Sequence, residues 1–172
     1  MECNHKDKQI NYFIKGFYTT PSGEVALFNA EQSSTYTNYT ASNAIDGDWG
    51  TRSKTPWATG THWWQVSMSN TAVYQIVLRA GTITSDEITA SLYSGETLTG
   101  RCKSHSGSDA SNETLSCDKV SADRVRLAMS NTSRTYLWVY EIKVLRIGLY
   151  MLSARIVSVS RQLVCIWYQP AL

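Results

Sequence analysis

The sequence has few of the features that accompany catalysis. It contains three histidines, His5, His62 and His105, and none of them lies in a nucleophile or metal-binding motif. The GxSxG, HExxH and phosphate-loop patterns do not occur. A hydrolase needs an acid and a base held apart with tuned pKa values, but the sequence offers no such pair, and Asp46 and Asp48 fall together in one short loop, residues 43–52. We therefore expect that the chain is not an enzyme.

Charge runs and close cysteine pairs are also absent. Lys and Arg number 16 against 14 Asp and Glu, with no basic run, so a nucleic-acid partner is not expected. None of the four cysteines forms a CxxC pair, which argues against a zinc or redox motif. Residues 1–15 carry charges and lack a continuous apolar segment, so no signal peptide is visible. The sequence leaves a pairing of Cys3 with Cys165 open.

Two other features favour an oxidising, extracellular compartment. Cys102 and Cys117 flank a polar stretch, and a disulfide closing such a loop would stabilise the fold by about 3 kcal/mol in the chain-entropy model. The alternative is a pair of buried free thiols. Sequons for N-glycosylation occur at Asn38, Asn112 and Asn131, each in a polar segment. We expect a secreted or extracellular glycoprotein.

Hydrophobic alternation with a period of two residues dominates the middle of the chain. Short segments rich in β-branched and aromatic residues are separated by polar turns; they are residues 62–68, 74–79, 88–93, 124–129 and 136–145. This pattern predicts an all-β sandwich or barrel without a long amphipathic helix. The predicted domain covers residues 23–147, after a polar extension at 1–22.

The last part of the chain, residues 148–172, is apolar but interrupted by Arg155 and Arg161. An Arg near the centre of a spanning helix costs about 2.5–3.5 kcal/mol on insertion scales. We therefore favour an extra strand or irregular packing over a membrane span. The role of this extension stays open.

The loop of residues 43–52 is rich in oxygen ligands. It contains Asp46, Asp48 and Thr51, and Gly47 and Gly50 allow the backbone to turn sharply. Ca²⁺ binds several side-chain and carbonyl oxygens at about 2.3–2.6 Å. The loop is consistent with a small cation site, and an Asx-type turn with solvated aspartates is the alternative.

Six short segments within residues 24–146 occur in a characteristic order: VAL at 25–27, QSSTY at 32–36, ASNAIDGD at 41–48, TR at 51–52, WWQV at 63–66 and YEIKV at 140–144. Together with the Cys102/Cys117 pair, they resemble the discoidin-like, or coagulation-factor type C, domains, which include the F-type lectins (fucolectins). The resemblance implies an all-β jelly-roll sandwich of about eight antiparallel strands, of the galactose-binding-domain type.

The resemblance also implies a structural calcium ion. Carried onto this chain, its ligands are Asn43, Asp46, Asp48, Thr51, Tyr140 and Glu141. Glu141 interrupts an apolar strand, where a carboxylate costs free energy unless it is paired or metal-bound. The alternative is a surface glutamate on the outward face of that strand.

F-type lectins hold fucose with one His and two Arg, and this sequence matches that pattern only in part. His62 adjoins the Trp63-Trp64 pair, Arg79 falls at the position of the first Arg, and Asp86 occupies that of the second. The candidate ligand-binding residues are Arg52, Trp57, His62 and Arg79.

The predicted function is therefore carbohydrate binding, with glycans or glycoconjugates as partners. The alternative is a cell-surface adhesion module that binds phospholipid or protein, since Arg52 and Lys54 lie close to Trp57 in sequence. Because single shallow sugar sites are weak, we expect an oligomer or a larger multidomain protein.

Overall fold

The computed structural model of the protein describes residues 13–82, 86–106 and 112–155. Cys3, Cys165 and the segment 156–172 lie outside the described residues. The strands in these ranges are β1 (Phe13–Glu24), β2 (Leu27–Gln32), β3 (Ser53–Lys54), β4 (Ala58–Gly81), β5 (Glu87–Ser94), β6 (Thr97–Arg101), β7 (His105–Ser106), β8 (Asn112–Ser116), β9 (Ser121–Thr135) and β10 (Trp138–Arg155). The helical content of the described residues is one 3-10 turn, Ala41–Ala44.

The chain divides into two compact units. One comprises residues 21–147, and the other comprises residues 1–20 together with 148–172. The sites described below all lie in the first unit. No helix in the described part of the chain is both long and apolar enough to cross a membrane.

Strand β4 connects the two layers of the sandwich. Its first part pairs with β2 and β9, and its second part pairs with β8 and β10, all antiparallel. A register shift between Ser67 and Thr71 separates the two parts. Bulges of this kind bend a strand and change its partners. The strands are hydrogen-bonded to one another in the order β1-β10-β4-β9-β5-β6. The structure therefore confirms the predicted all-β sandwich.

The core forms from the alternating residues that the sequence pattern singled out. Trp64, Val66 and Met68 on β4 are buried, as are the corresponding apolar positions on β5 and β9, which are Ile88, Ala90, Leu92, Val125, Leu127 and Met129. Burial of each large aliphatic or aromatic side chain contributes about 1.5–3 kcal/mol. Because neighbouring residues on a strand face opposite sides, the same alternation leaves the polar residues outside.

Cys102 and Cys117 form a disulfide across a single antiparallel bridge. The predicted pairing is thus confirmed. The bond closes a segment with a sequence separation of 15 and joins the end of β6 to the residue after β8. It adds a covalent link to a connection that is also held by backbone hydrogen bonds, such as those from Cys117 N–H to the Tyr74 carbonyl and from Lys103 N–H to the Ser116 carbonyl.

Replacing both cysteines of this disulfide by serine is expected to lower the free energy of unfolding by about 3 kcal/mol, because the denatured chain regains the entropy of the open loop. Urea denaturation of the wild type and the double-serine variant measures the difference. The two single-serine variants serve as controls, and each is expected to match the double variant. Identical denaturation midpoints for the wild type and the double variant would show that the bond contributes no stability.

Candidate functional site

The loop after the 3-10 turn is wound tightly by its own hydrogen bonds. Asp48 N–H donates to Asp46 Oδ1 at 2.8 Å, and Gly50 N–H donates to Asp48 Oδ1 at 2.8 Å. Gly47 has φ +82°, which L side chains rarely adopt. Asp and Gly residues favour Asx turns of this kind. The alternative from the sequence, an Asx-turn loop, therefore describes the backbone correctly, and it does not exclude a cation.

Several loop oxygens converge on one hydroxyl group. Thr51 Oγ1 lies 2.7 Å from Asp46 Oδ2, 3.1 Å from the Asp48 carbonyl oxygen and 3.2 Å from the Asn43 carbonyl oxygen. One carboxylate, two carbonyls and one hydroxyl thus lie within a few ångströms of one another. Hard divalent cations bind this mixture of oxygens.

Glu141 approaches the same loop from β10. Its residue is 3% exposed, so the alternative of an outward-facing surface glutamate is wrong. Burial, together with the negative charge of Asp46, raises the pKa of Glu141 to about 7, while a hydrogen bond from the Gly47 backbone N–H lowers it. Among the described residues, nothing donates a hydrogen bond to Glu141 Oε2.

The unpartnered Glu141 Oε2 atom bears directly on whether the loop could bind a cation. A buried carboxylate without a full set of partners costs free energy unless a positive charge neutralises it. Within residues 13–82, 86–106 and 112–155, no group of three or more His, Cys, Asp or Glu side chains clusters to hold a metal ion. An ion here would therefore rely on at most two carboxylates supplemented by neutral oxygens, and Asp46 and Glu141 are a pair whose charges interact. Calcium accepts such a set.

An open cavity of about 410 Å³ lies beside this loop. Its lining residues come from the segment before the 3-10 turn, from the loop and from β10: Asn38, Tyr39, Asn43, Gly50, Thr51, Arg52 and Tyr140. Three of these residues also belong to the predicted calcium ligand set. The position of the loop therefore shapes the cavity wall.

Arg52 is held between two aromatic rings in this cavity. Its Cζ atom lies 5.4 Å from the ring centroids of both Tyr39 and Tyr140, and its Nη1 donates to the Tyr140 hydroxyl at 2.7 Å. Burial lowers the pKa of Arg52, but its contacts with the Tyr140 and Tyr39 hydroxyls raise it by more. Asn43 Nδ2 donates to the Arg52 carbonyl oxygen at 3.1 Å. The guanidinium is therefore charged and fixed in position.

The other sequence-predicted ligand residues lie in different surroundings. Arg79 Nη1 donates to the Trp49 carbonyl at 2.9 Å, and Arg79 Cζ lies 4.5 Å from the centroid of the Tyr140 ring that Arg52 also contacts, although Arg79 is not among the lining residues of the cavity. Trp57 is 49% exposed, with its ring centroid 5.6 Å from that of Tyr136.

His62 is buried, and both of its ring nitrogens are occupied within the protein. Nδ1 lies 2.8 Å from Thr55 Oγ1, and Nε2 lies 3.1 Å from the Ala58 carbonyl oxygen. The structure thus brings Arg52 together with the loop residues, and places His62 among structural contacts outside the cavity lining.

The predicted glycosylation residues differ in their surroundings. Asn38 is exposed and lines the cavity, and Asn112 is exposed at the start of β8. Asn131 is half-buried; its Nδ2 donates to the Asp86 carboxylate, and its Oδ1 accepts from Ser133 N–H at 2.8 Å. Glycosylation of these three residues stays a prediction.

Sequence reasoning missed Tyr39 and Tyr36. Their rings stack at a centroid distance of 6.1 Å and an interplanar angle of 21°. The only available signal was the recurrence of tyrosine three residues apart within a polar loop. That signal does not indicate that Arg52 lies against Tyr39.

Comparison with solved structures identifies the fold. The chain is similar to the family 32 carbohydrate-binding module of AlyQ in complex with 4,5-unsaturated mannuronic acid, with TM-score 0.57 and 21% identity over 72% of this chain and 98% of that chain. The chain has the galactose-binding-like β-sandwich fold. It is also similar to a mutant of the lectin binding domain of Lectinolysin complexed with Lewis b, with TM-score 0.59 and 21% identity over 69% and 91% of the two chains.

A third similar structure is the family 32 carbohydrate-binding module of C. perfringens NanJ in complex with galactose. Its TM-score is 0.58 and its identity 18%, over 72% of this chain and 99% of that chain. No protein-family model matches the chain, and no curated protein matches it either. The likeness therefore concerns the fold, which agrees with the discoidin-like resemblance of the sequence.

Proposed function

We propose that the chain is a carbohydrate-recognition module and that its binding site is the cavity beside the loop of residues 43–52, called the ion loop below. The observation that carries this proposal is the placement of the Arg52 guanidinium between the Tyr39 and Tyr140 rings in an open cavity. Aromatic faces pack against the apolar CH faces of sugar rings, and placed polar groups bind the hydroxyls.

A structural calcium ion is the second part of this proposal. Its ligands would be the carbonyls of Asn43 and Tyr140, the carboxylates of Asp46 and Glu141, and oxygens of Asp48 and Thr51, as the resemblance implies. The convergence of loop oxygens on Thr51 and the orphaned Glu141 oxygen support it. A bound cation would offset the negative charges of both carboxylates. It would thereby hold the loop against β10 and fix the cavity wall.

The solved structures of the same fold support a glycan ligand, because three of them hold mannuronic acid, Lewis b or galactose. The disulfide supports an oxidising, extracellular compartment. We infer a binding role rather than a catalytic one, since the cavity lining contains no acid–base pair. A single open site of this size implies weak binding, which several copies in an oligomer or larger protein would strengthen.

A glycan array tests the proposal. The wild type is expected to bind at least one glycan class in calcium, and Arg52→Gln is expected to weaken that binding about tenfold to hundredfold, because hydrogen bonds to a charged group contribute about 1.5–3 kcal/mol. Arg126→Gln is the matched control. Arg126 Cζ also lies over an aromatic ring, 4.7 Å from the Trp63 centroid, but on β9 and outside the cavity lining.

Two outcomes would contradict the proposal. One is a flat array for the wild type combined with pelleting on phospholipid vesicles, which would favour the adhesion alternative. The other is an equal loss of binding in Arg52→Gln and Arg126→Gln at unchanged melting temperatures, which would place the ligand away from the cavity.

A further inference from the structure

Cations and aromatic rings alternate along one face of the molecule, beginning in the cavity. The Tyr39 ring, which Arg52 contacts, stacks on the Tyr36 ring. Lys54 Nζ lies 4.8 Å from the centroid of the Tyr36 ring. Lys54 Nζ also lies 3.9 Å from the Tyr136 centroid. We define the cation–aromatic band by these contacts; its members are Tyr140, Arg52, Tyr39, Tyr36, Lys54, Tyr136 and Trp57.

Strand alternation explains why these side chains share a face. Ser53 is buried between Arg52 and Lys54, so its two neighbours face the opposite side. Lys54 pairs with Trp138 across the β3–β10 ladder. On β10 and the residues before it, Leu137, Val139 and Glu141 are buried, whereas Tyr136, Trp138 and Tyr140 are not. The two strands together place the cations and rings on one surface.

The charge of this band is unbalanced. The cavity lining contains one charged side chain, Arg52, and no carboxylate. In the described part of the chain, the ion pairs are His105–Glu113, Arg124–Glu96 and Lys143–Glu24, so neither Arg52 nor Lys54 has a carboxylate partner there. The acidic residues Asp46 and Asp48 of the loop and Glu141 of β10 are not among the lining residues. The described members of the band therefore carry two positive charges and no negative one.

The number of members and the exposure of the band point to more than one sugar unit. Tyr36 is 43% exposed and Trp57 49% exposed, so rings both in the middle of the band and at its end away from the cavity contact solvent. A contiguous set of exposed rings, rather than a single one, is what indicates a binding surface, and Trp57 and Tyr36 are joined through Tyr136 and Lys54. Two cations separated by rings match a chain in which apolar sugar faces alternate with anionic substituents.

We propose that the site binds a carboxylated glycan chain, with Arg52 contacting one carboxylate and Lys54 that of another sugar along the band. This inference rests on the proposed function and names its ligand class. The planar guanidinium matches a carboxylate bidentately, and Lys54 acts as a point charge. Arg52 donates through Nη1 to Tyr140, and a guanidinium has five N–H donors, so donors remain for a ligand. Sulfate esters share the negative charge but not the planar shape.

The test compares a tetrasaccharide of a uronic acid with its fully methyl-esterified form, which has the same rings without the charge. Isothermal titration calorimetry of the wild type is expected to show binding about tenfold tighter for the acid, and this preference is expected to shrink between about 50 and about 300 mM NaCl. Lys54→Gln is expected to weaken binding of the acid about threefold to tenfold and leave that of the ester unchanged.

Lys119→Gln is the matched control for Lys54→Gln, because Lys119 Nζ lies 5.0 Å from the Tyr74 ring centroid but outside the band. It is expected to bind both tetrasaccharides as the wild type does. Equal affinity for acid and ester, or loss of acid binding in Lys119→Gln to the same extent, would overturn the inference.

Two further outcomes separate this inference from the proposed function. Binding of a neutral glycan, or of a sulfated tetrasaccharide in preference to the carboxylated one, would overturn the carboxylate assignment and leave glycan recognition intact. Absence of binding to every tetrasaccharide and to the whole array would overturn both.

Discussion

Chelation of calcium is expected to lower the melting temperature of the protein by about 10 °C. An ion present at about 100 to 1,000 times its dissociation constant stabilises the folded state by about 2.7–4.1 kcal/mol. For a unit of this size, 1 kcal/mol corresponds to a shift of roughly 2–8 °C. The physical reason is the pair of carboxylates from Asp46 and Glu141, one of them buried, which repel each other without a cation. Differential scanning calorimetry in calcium and in EDTA measures the shift.

Glu141→Gln separates the ion from other effects of chelation. The variant keeps the shape of the side chain but loses its charge, so calcium and EDTA are expected to give the same melting temperature. Glu31→Gln is the control: Glu31 is an exposed glutamate on β2 that accepts from Gln65, and it is expected to keep the full calcium response. A wild-type melting temperature that is the same in calcium and EDTA would show that no ion is bound.

The pH dependence of the chelated protein follows from Glu141 as well. Its folded-state pKa of about 7 lies above the ordinary value of 4.5, mainly because of burial. Its contribution to stability is therefore fully present below pH 4.5 and is lost as the pH rises through 7. In EDTA above that pH, Glu141→Gln is expected to melt higher than the wild type. The difference between calcium and EDTA is expected to narrow at acidic pH, because protons compete with the ion.

The strand pattern could be predicted from sequence because burial on one face imposes a strict period of two. Ile88, Ala90 and Leu92 show this directly. The extent of β4 could not be predicted in the same way. Its two halves have separate patterns, at residues 62–68 and 74–79, and polar residues at 69–71 interrupt them. The structure continues one strand through this region because a bulge allows it to change partners between the layers.

The sequence could predict only those members of the candidate site that lie close together along the chain. Asp46, Asp48 and Thr51 occur within six residues of one another in a glycine-containing loop, so their grouping is visible in the sequence. The contact of Arg52 with Tyr140 spans 88 residues and depends on the pairing of β3 with β10. His62 shows the reverse situation. The resemblance to F-type lectins, which hold fucose with one His, made it a candidate ligand residue, but the fold uses both of its ring nitrogens for Thr55 and Ala58.

Trp64 connects the core of the sandwich to the ion loop. It is 1% exposed on β4, and its Nε1 donates to the Ala41 carbonyl at 3.0 Å, at the start of the 3-10 turn that precedes the loop. Deleting a buried aromatic side chain costs about 3–5 kcal/mol. Trp64→Ala is therefore expected to lose that amount in urea denaturation, which is a large part of the roughly 5–15 kcal/mol that stabilises a typical domain.

Trp64→Phe separates two roles of Trp64, its hydrogen bond to the turn before the loop and its packing in the core. It removes the hydrogen bond to Ala41 but keeps an aromatic ring, so we expect a weaker calcium affinity together with a smaller loss of stability, about 1–2 kcal/mol. Leu127→Val is the control, because Leu127 lies directly opposite Trp64 on β9, is fully buried and has no bond to the loop. It is expected to lose a similar amount of stability at unchanged calcium affinity. If both variants changed the affinity equally, the tryptophan would act on the loop only through general packing, and the hydrogen bond to Ala41 would have no separate role in positioning the ion ligands.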